Sequence, residues 1–215
     1  PHTLTYTPCN PLTTCCPTDP TRAHKAVDAD PRCIMAYWGI AMGHSPNYNF
    51  YADVGYYDVT ATPGIAFPSQ EKALAALAVA TELVRTAAAV GPTGGPRGSD
   101  TALPSPVANP VELALLEAIR LRFGTHPWPK QAHPHLENAY AGAMKEVAAQ
   151  FPDDSDVAFV CADATLVMRP WKLWDLATGE STPEARAARP MLEAALLKWP
   201  SHPGLCHLYV HLMEM

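Results

Sequence analysis

The residues best equipped for chemistry lie together in the last stretch, Trp199-Pro-Ser-His-Pro-Gly-Leu-Cys-His-Leu-Tyr-Val-His-Leu-Met-Glu-Met215. It holds His202, His207, His211 and Glu214, and the second and third histidines are four residues apart. At that spacing two side chains stand one turn above the other on one helical face, so the imidazoles of His207 and His211 can meet at one point. Imidazole is a ligand for zinc and for copper, and the residue types do not choose between them. A transition metal wants further protein ligands, and His202, Glu214 and His44 are the candidates to supply them. The competing roles are an N-cap for His202 and hydrogen-bonded burial for the others. No His-Glu-x-x-His pairing places a general base beside the pair, so the spacing suggests a metal without naming a reaction. Cys206 beside His207 is a weak nucleophile–base pair, because neighbours on a helix diverge by about 100°.

Other clusters are less specific. His126, His133 and His135 surround Pro127-Trp-Pro129 in a proline-rich setting that reads as a surface loop. The aromatic residues Tyr37, Trp38, Tyr48, Phe50, Tyr51, Tyr56 and Tyr57 either line a ligand groove or pack between helices. Tyr37, Trp38, Asn47, Tyr48 and Asn49 are the groove candidates. Glu112, Glu117, Glu137, Glu146 and Glu193 fall opposite apolar stripes and read as solvated. Cys33, Cys161 and Cys206 sit singly in helical patterns and read as buried free thiols. Gly91-Pro-Thr-Gly-Gly-Pro-Arg-Gly98 carries prolines where a phosphate cradle needs N–H donors, so it reads as a linker. No hydrolase elbow, phosphate loop or dinucleotide fingerprint is present, and no residue is assigned a catalytic role.

Composition bounds these readings. Of 215 residues 48% are hydrophobic and 17% charged, which suits a folded chain with a sizeable core. No apolar run reaches the length of a membrane span. A net charge of −6 with scattered Lys and Arg argues against nucleic acid as a partner. The chain is expected to be cytoplasmic, with its true start upstream of Pro1.

The histidines need helices to position them, and helical spacing dominates the chain. Residues 1–20, rich in Pro and Thr, form an expected irregular arm. The remainder, 21–215, reads as one α-helical domain with a flexible Gly/Pro linker at 91–108. Helices are expected from Thr21 to Asp30, Arg32 to Met42, Ser69 to Ala89, Pro110 to Phe123, Leu136 to Phe151, Ser155 to Met168, Pro183 to Trp199, and through the histidine stretch. Residues 44–67 form a long loop. Trp171 and Trp174 are expected to pin the turn between two helical hairpins. The last helix is apolar around most of its circumference, which calls for cover on several sides, from helix 183–199, the aromatics of 37–51, or a partner chain.

One arrangement recurs. Ala26-Val-Asp-Ala-Asp-Pro31, Val147-Ala-Ala-Gln-Phe-Pro152 and Ala195-Leu-Leu-Lys-Trp-Pro200 each join two helices through a proline, with Ala36, Ala158 and Cys206 in the second helix. Small residues there let antiparallel helices approach, which is the grammar of a tetratricopeptide-type hairpin. The prolines are separated by 121 and then 48 positions, so a solenoid of such hairpins would be interrupted.

Residues 24–215 resemble a family of large tetratricopeptide-repeat proteins with no agreed common reaction. The resemblance lies in Asp30-Pro-Arg-Cys-Ile-Met-Ala-Tyr-Trp-Gly-Ile-Ala-Met42 with Pro46-Asn-Tyr-Asn49, in Phe151-Pro-Asp-Asp154 with Arg169-Pro-Trp-Lys-Leu-Trp-Asp175, and in His202-Pro-Gly-Leu-Cys-His-Leu-Tyr-Val-His-Leu-Met-Glu214. It implies an all-α fold of TPR-like hairpins stacked into a short, interrupted solenoid. Two departures stand out. The family's Asn-His-Glu-Glu-Ala segment is replaced by Thr14-Cys-Cys-Pro-Thr-Asp-Pro20, and the family's repeats continue, with another histidine cluster, past the position of Glu214.

The expected function is binding of a protein segment or a small molecule in a concave groove, with a histidine metal site in addition. The rival is a metal-dependent enzyme using zinc or copper on His207 and His211. A third reading is an inactive fragment of a larger TPR-like protein. Association through the apolar last helix belongs with each.

Overall fold

The computed structural model describes residues 20–48, 69–90, 108–124 and 134–214. Eight α-helices are found among them: α1 (Pro20–Ala29), α2 (Ile34–Gly43), α3 (Gln70–Val90), α4 (Pro110–Arg120), α5 (Pro134–Gln150), α6 (Ser155–Leu166), α7 (Pro183–Lys198) and α8 (Pro203–Met213). The described chain is all-α, as its periodicity requires. The arm expected over 1–20 and the linker expected over 91–108 lie outside the described residues, except at their ends. There Pro20 opens α1 rather than closing the arm, a position proline tolerates because the first helical N–H has no partner to lose.

Local chemistry fixes the starts. Asn109 caps α4 in a full capping box: its side chain accepts from the Glu112 amide at 2.9 Å, and the Glu112 carboxylate accepts from the Asn109 amide at 2.8 Å. Asp154 caps α6 by accepting from Val157 N–H at 2.9 Å, and Thr182 caps α7 by accepting from Ala185 N–H. Ser69 manages only a long 3.4 Å contact from Lys72 N–H, the partial cap its sequence suggests.

The three proline turns are the same structure. In each, the residue before proline donates its N–H four residues back into the first helix: Asp30 to Ala26, Phe151 to Val147, Trp199 to Ala195, at 2.9, 3.0 and 2.7 Å. Its carbonyl then accepts from the residue two past the proline, Cys33, Asp154 or His202, at 3.0, 3.2 and 3.1 Å. Proline suits the second place because its ring pre-sets the φ of a tight turn. Connections this short make the flanking helices packed neighbours, so α1 lies on α2, α5 on α6 and α7 on α8.

Two helices are buried on nearly every side. Residues Val157–Leu166 of α6 are buried apart from Ala158, under α5, α7 and α8, while α2 is enclosed by α1, α3 and α4. One hydrophobic core runs through both, from Trp38 and Met42 through Ile119, Tyr140 and Met144 to Val160, Leu192, Leu205 and Leu212. Trp38 is 1% exposed, and its indole donates to the Leu115 carbonyl at 3.2 Å, so it belongs to this core. The apolar α8 is covered by α7 and α6 on the side of Leu205, Leu208 and Leu212, while Val210 and Met213 stay exposed. It comes so close to α6 that a Cβ on Gly204 would stand 2.6 Å from the ring of Phe159.

Candidate metal centre

The helix α8 places His207 and His211 on one face, and their Nε2 atoms are 3.0 Å apart. The rings meet edge to face with centroids 4.5 Å apart. His207 is exposed and His211 buried. Behind His211, the Glu214 carboxylate closes on Nδ1. A carboxylate accepts only, so His211 Nδ1–H donates to it; with the proton on Nδ1, His211 Nε2 is the acceptor of the hydrogen bond between the two rings and His207 Nε2–H its donor, a proton that an ion taking both nitrogens would have to displace. Glu214 behind His211 is the carboxylate–histidine arrangement that orients metal-ligating imidazoles. Burial, the neighbouring His211 and, in opposition, Glu214 together set the pKa of His207 below its ordinary value, which favours a neutral, ligating ring.

Aromatic residues hold His211 still. Tyr48 packs on its ring at 4.4 Å between centroids, and the Tyr48 hydroxyl donates to the His211 carbonyl at 3.3 Å. The Trp174 indole donates to the next carbonyl, that of Leu212, at 2.7 Å. These are end-of-helix acceptors without partners in the helix, so the two aromatic side chains cap the C-terminus of α8 from outside it. Trp171 completes the wall, 5.4 Å from the Tyr48 ring and 6.2 Å from that of His211. Its φ of 60° lies in the left-handed region, an outlier for a bulky residue. Burial raises the pKa of Tyr48, so its hydroxyl keeps the proton it donates.

A buried polar cluster supports Tyr48 in turn. Arg122, 1% exposed, pairs with Glu137 at 3.1 Å, donates to the Pro46 carbonyl at 2.6 Å and lies 4.9 Å from the centre of the Tyr140 ring. It thereby ties segment 44–48, which carries Tyr48, to α4 and α5. Asp163 of α6 is buried nearby with one carboxylate oxygen lacking a hydrogen-bond partner. Burial pushes its pKa up to about 6, against the pull of Arg122 and His211 and with the push of Glu137.

No family model, curated protein or solved structure matches the chain. The site therefore stands on its own geometry.

Of the residues that the sequence nominated, the structure brings His207, His211 and Glu214 together. Glu214 sits behind His211 rather than beside the two Nε2 atoms. His202 is occupied elsewhere: it is the N-cap of α8, its Nδ1 accepting from Leu205 N–H at 3.1 Å and its Nε2 facing Asp156 at 3.3 Å. The turn dictates this, since His202 takes the place that Asp154 takes before α6. His44 is buried at the C-cap of α2. Among the described residues no three His, Cys, Asp or Glu side chains gather around one point. Of the groove candidates, Trp38 is core, Tyr37 donates to the Pro31 carbonyl at 3.0 Å, Tyr48 belongs to the histidine site and Asn47 is half-buried beside it in sequence. Asn49 lies outside the described residues, as do Phe50, Tyr51, Tyr56, Tyr57, His126 and His133.

Two expectations are corrected. Glu137 is not solvated but 4% exposed, because the buried Arg122 needs a counter-charge. Cys206 is exposed, its thiol turned to the Pro200 carbonyl at 3.5 Å, while Cys33 and Cys161 are buried and in no disulfide, as expected. Asp163 is the residue that sequence reading passed over. Its signal was a single acid inside the apolar run Val157-Ala-Phe-Val-Cys-Ala-Asp-Ala-Thr-Leu-Val167.

Proposed function

We propose that the chain is a helical scaffold of tetratricopeptide-like hairpins whose last hairpin binds a transition-metal ion through His207 and His211. The observation that carries this is the 3.0 Å approach of the two Nε2 atoms on a ring pair held from behind by Glu214 and Tyr48. Such rigid support lowers the ordering cost of binding, because His211 has its orientation before the ion arrives. The ion would take two protein nitrogens here, leaving its other positions to water or to donors of a bound molecule. Exchangeable positions are what a metal needs to act on a substrate, and the half-exposed Trp171 indole near His211 gives such a molecule an apolar surface to lie on. The thrice-repeated proline turn supports the hairpin part of the proposal.

Thermal unfolding with and without added zinc or copper tests it. An ion at a hundredfold excess over its dissociation constant stabilises the folded state by about 2.7 kcal/mol. That gain should appear with at least one of the two ions and vanish in His207→Ala/His211→Ala. A gain of equal size in the double variant would remove the pair from consideration.

A further inference from the structure

We propose that the outer face of the α7/α8 hairpin pairs with the same face of a second copy of the chain, α7 of each copy lying over α8 of the other. The proline turns bring corresponding positions of α2, α6 and α8 into register. Seven residues past the proline stand Trp38, Phe159 and His207; ten past it, Ala41, Ala162 and Val210; thirteen past it, His44, Thr165 and Met213. Steps of three keep each set on one side of its helix.

In the first two hairpins that side is roofed by the helices that follow. Trp38 donates to the Leu115 carbonyl of α4, the Phe159 ring lies against Gly204 of α8, and Ala41, His44, Ala162 and Thr165 are each 3% exposed or less. In the third the same side is open. His207 is exposed, Val210 is 62% exposed and Met213 42%. Large apolar side chains left open at positions that are elsewhere covered mark an interaction surface.

The covered faces show what form the cover takes. On α6 lies α7, whose buried side is Ala185, Ala188, Leu192 and Ala195, small and apolar residues that let two helices approach. The opposite side of α7 has a similar make-up in the exposed Ala187, Ala194 and Leu197. A second α7 therefore offers α8 what the first offers α6. A twofold axis satisfies both copies at once, because the interface is then self-complementary.

Charge favours a copy over a charged partner. Exposed faces of α1 and α5 carry Arg22, Lys25 and Asp28, and Lys145 and Glu146, whereas Ala187, Ala194, Leu197, Val210 and Met213 carry none. The charges beside them on α7 are already engaged, Arg186 with the Ser181 carbonyl, Arg189 with Glu193 and Lys198 with Asp153. Copies of a chain with net charge −6 repel one another, and least across a neutral face. The pairing centres on Val210 and Met213, with His207 at the edge where it bonds His211, and it stands apart from the metal-binding reading.

Sedimentation velocity of the full chain from about 1 to about 100 µM tests the pairing. Chelator excludes bridging by metal, and reductant excludes cross-linking through the exposed Cys206. The expected result is a species of twice the chain mass. Association should weaken at least about a hundredfold in Val210→Glu and in Ala194→Glu, because the twofold places each new carboxylate, doubled, in a surface without counter-charge. It should be unchanged in Ala139→Glu, on the exposed face of α5. All three sites are exposed, and circular dichroism confirms that each variant folds. A native chain that stays monomeric over this range would overturn the proposal. A dimer undiminished by Val210→Glu or by Ala194→Glu, or one lost in Ala139→Glu, would overturn it as well.

Discussion

Replacing Asp163 by Asn should change how stability depends on pH, by an amount that the structure sets. Asp163 is 7% exposed, one of its oxygens has no partner, and burial lifts its pKa from 3.8 to about 6. The folded state thus holds this proton more tightly than the unfolded state. Well below 3.8 both states are protonated and the favourable contribution is fully present; it is lost as pH rises from there through 6. Each pKa unit is worth about 1.4 kcal/mol, so the rise from 3.8 to about 6 amounts to about 3 kcal/mol. Asn has nothing to titrate. The difference in stability between Asp163→Asn and the native chain should therefore shift by about 3 kcal/mol in favour of the variant between pH 3 and pH 7. Urea unfolding at a series of pH values measures it, and taking the difference cancels the groups that do not interact with position 163. Stability curves that stay parallel from pH 3 to 7 would refute the reasoning and show that the carboxylate is ionised at little cost.

Further outcomes follow from single contacts. Gly204→Ala should destabilise by about 1–2 kcal/mol in urea unfolding despite the better helix former, because the new methyl meets the Phe159 ring at 2.6 Å; Phe159→Leu in the same chain should recover part of that. Arg122→Met alone should cost about 3–5 kcal/mol by stranding Glu137, while Arg122→Met/Glu137→Leu should cost clearly less, a comparison read from the same unfolding curves. Metal binding at the pair should weaken as pH falls below the ordinary histidine value, because the ligating rings must be neutral; calorimetric titration at pH 7.5 and 5.5 checks it.

Much of the fold was legible in the sequence because helical spacing and proline turns are local signals. Asn109-Pro110 and Asp154 mark helix starts by their own hydrogen bonds, and each start falls where those residues stand. The meeting of His207 and His211 was legible for the same reason, since four residues on a helix fix a face. What failed depended on partners distant in sequence. Glu137 has the local look of a solvated acid, and only the arrival of Arg122 from the end of α4 buries it. Trp38 gives no local sign that its indole meets Leu115, 77 residues away. His202 was ambiguous because cap and ligand use the same lone pair, and its place in the repeated turn decides for the cap. The role of Tyr48 rests on a contact across 163 residues to the His211 carbonyl, beyond the reach of any spacing argument.

The most direct test of the metal-binding pair is the metal content of the purified chain and of His207→Ala/His211→Ala after incubation with zinc or copper and removal of excess, measured by inductively coupled plasma mass spectrometry. One equivalent of metal held by the native chain and missing from the double variant is the predicted result. Equal metal content in the two proteins, or none in either, would contradict it.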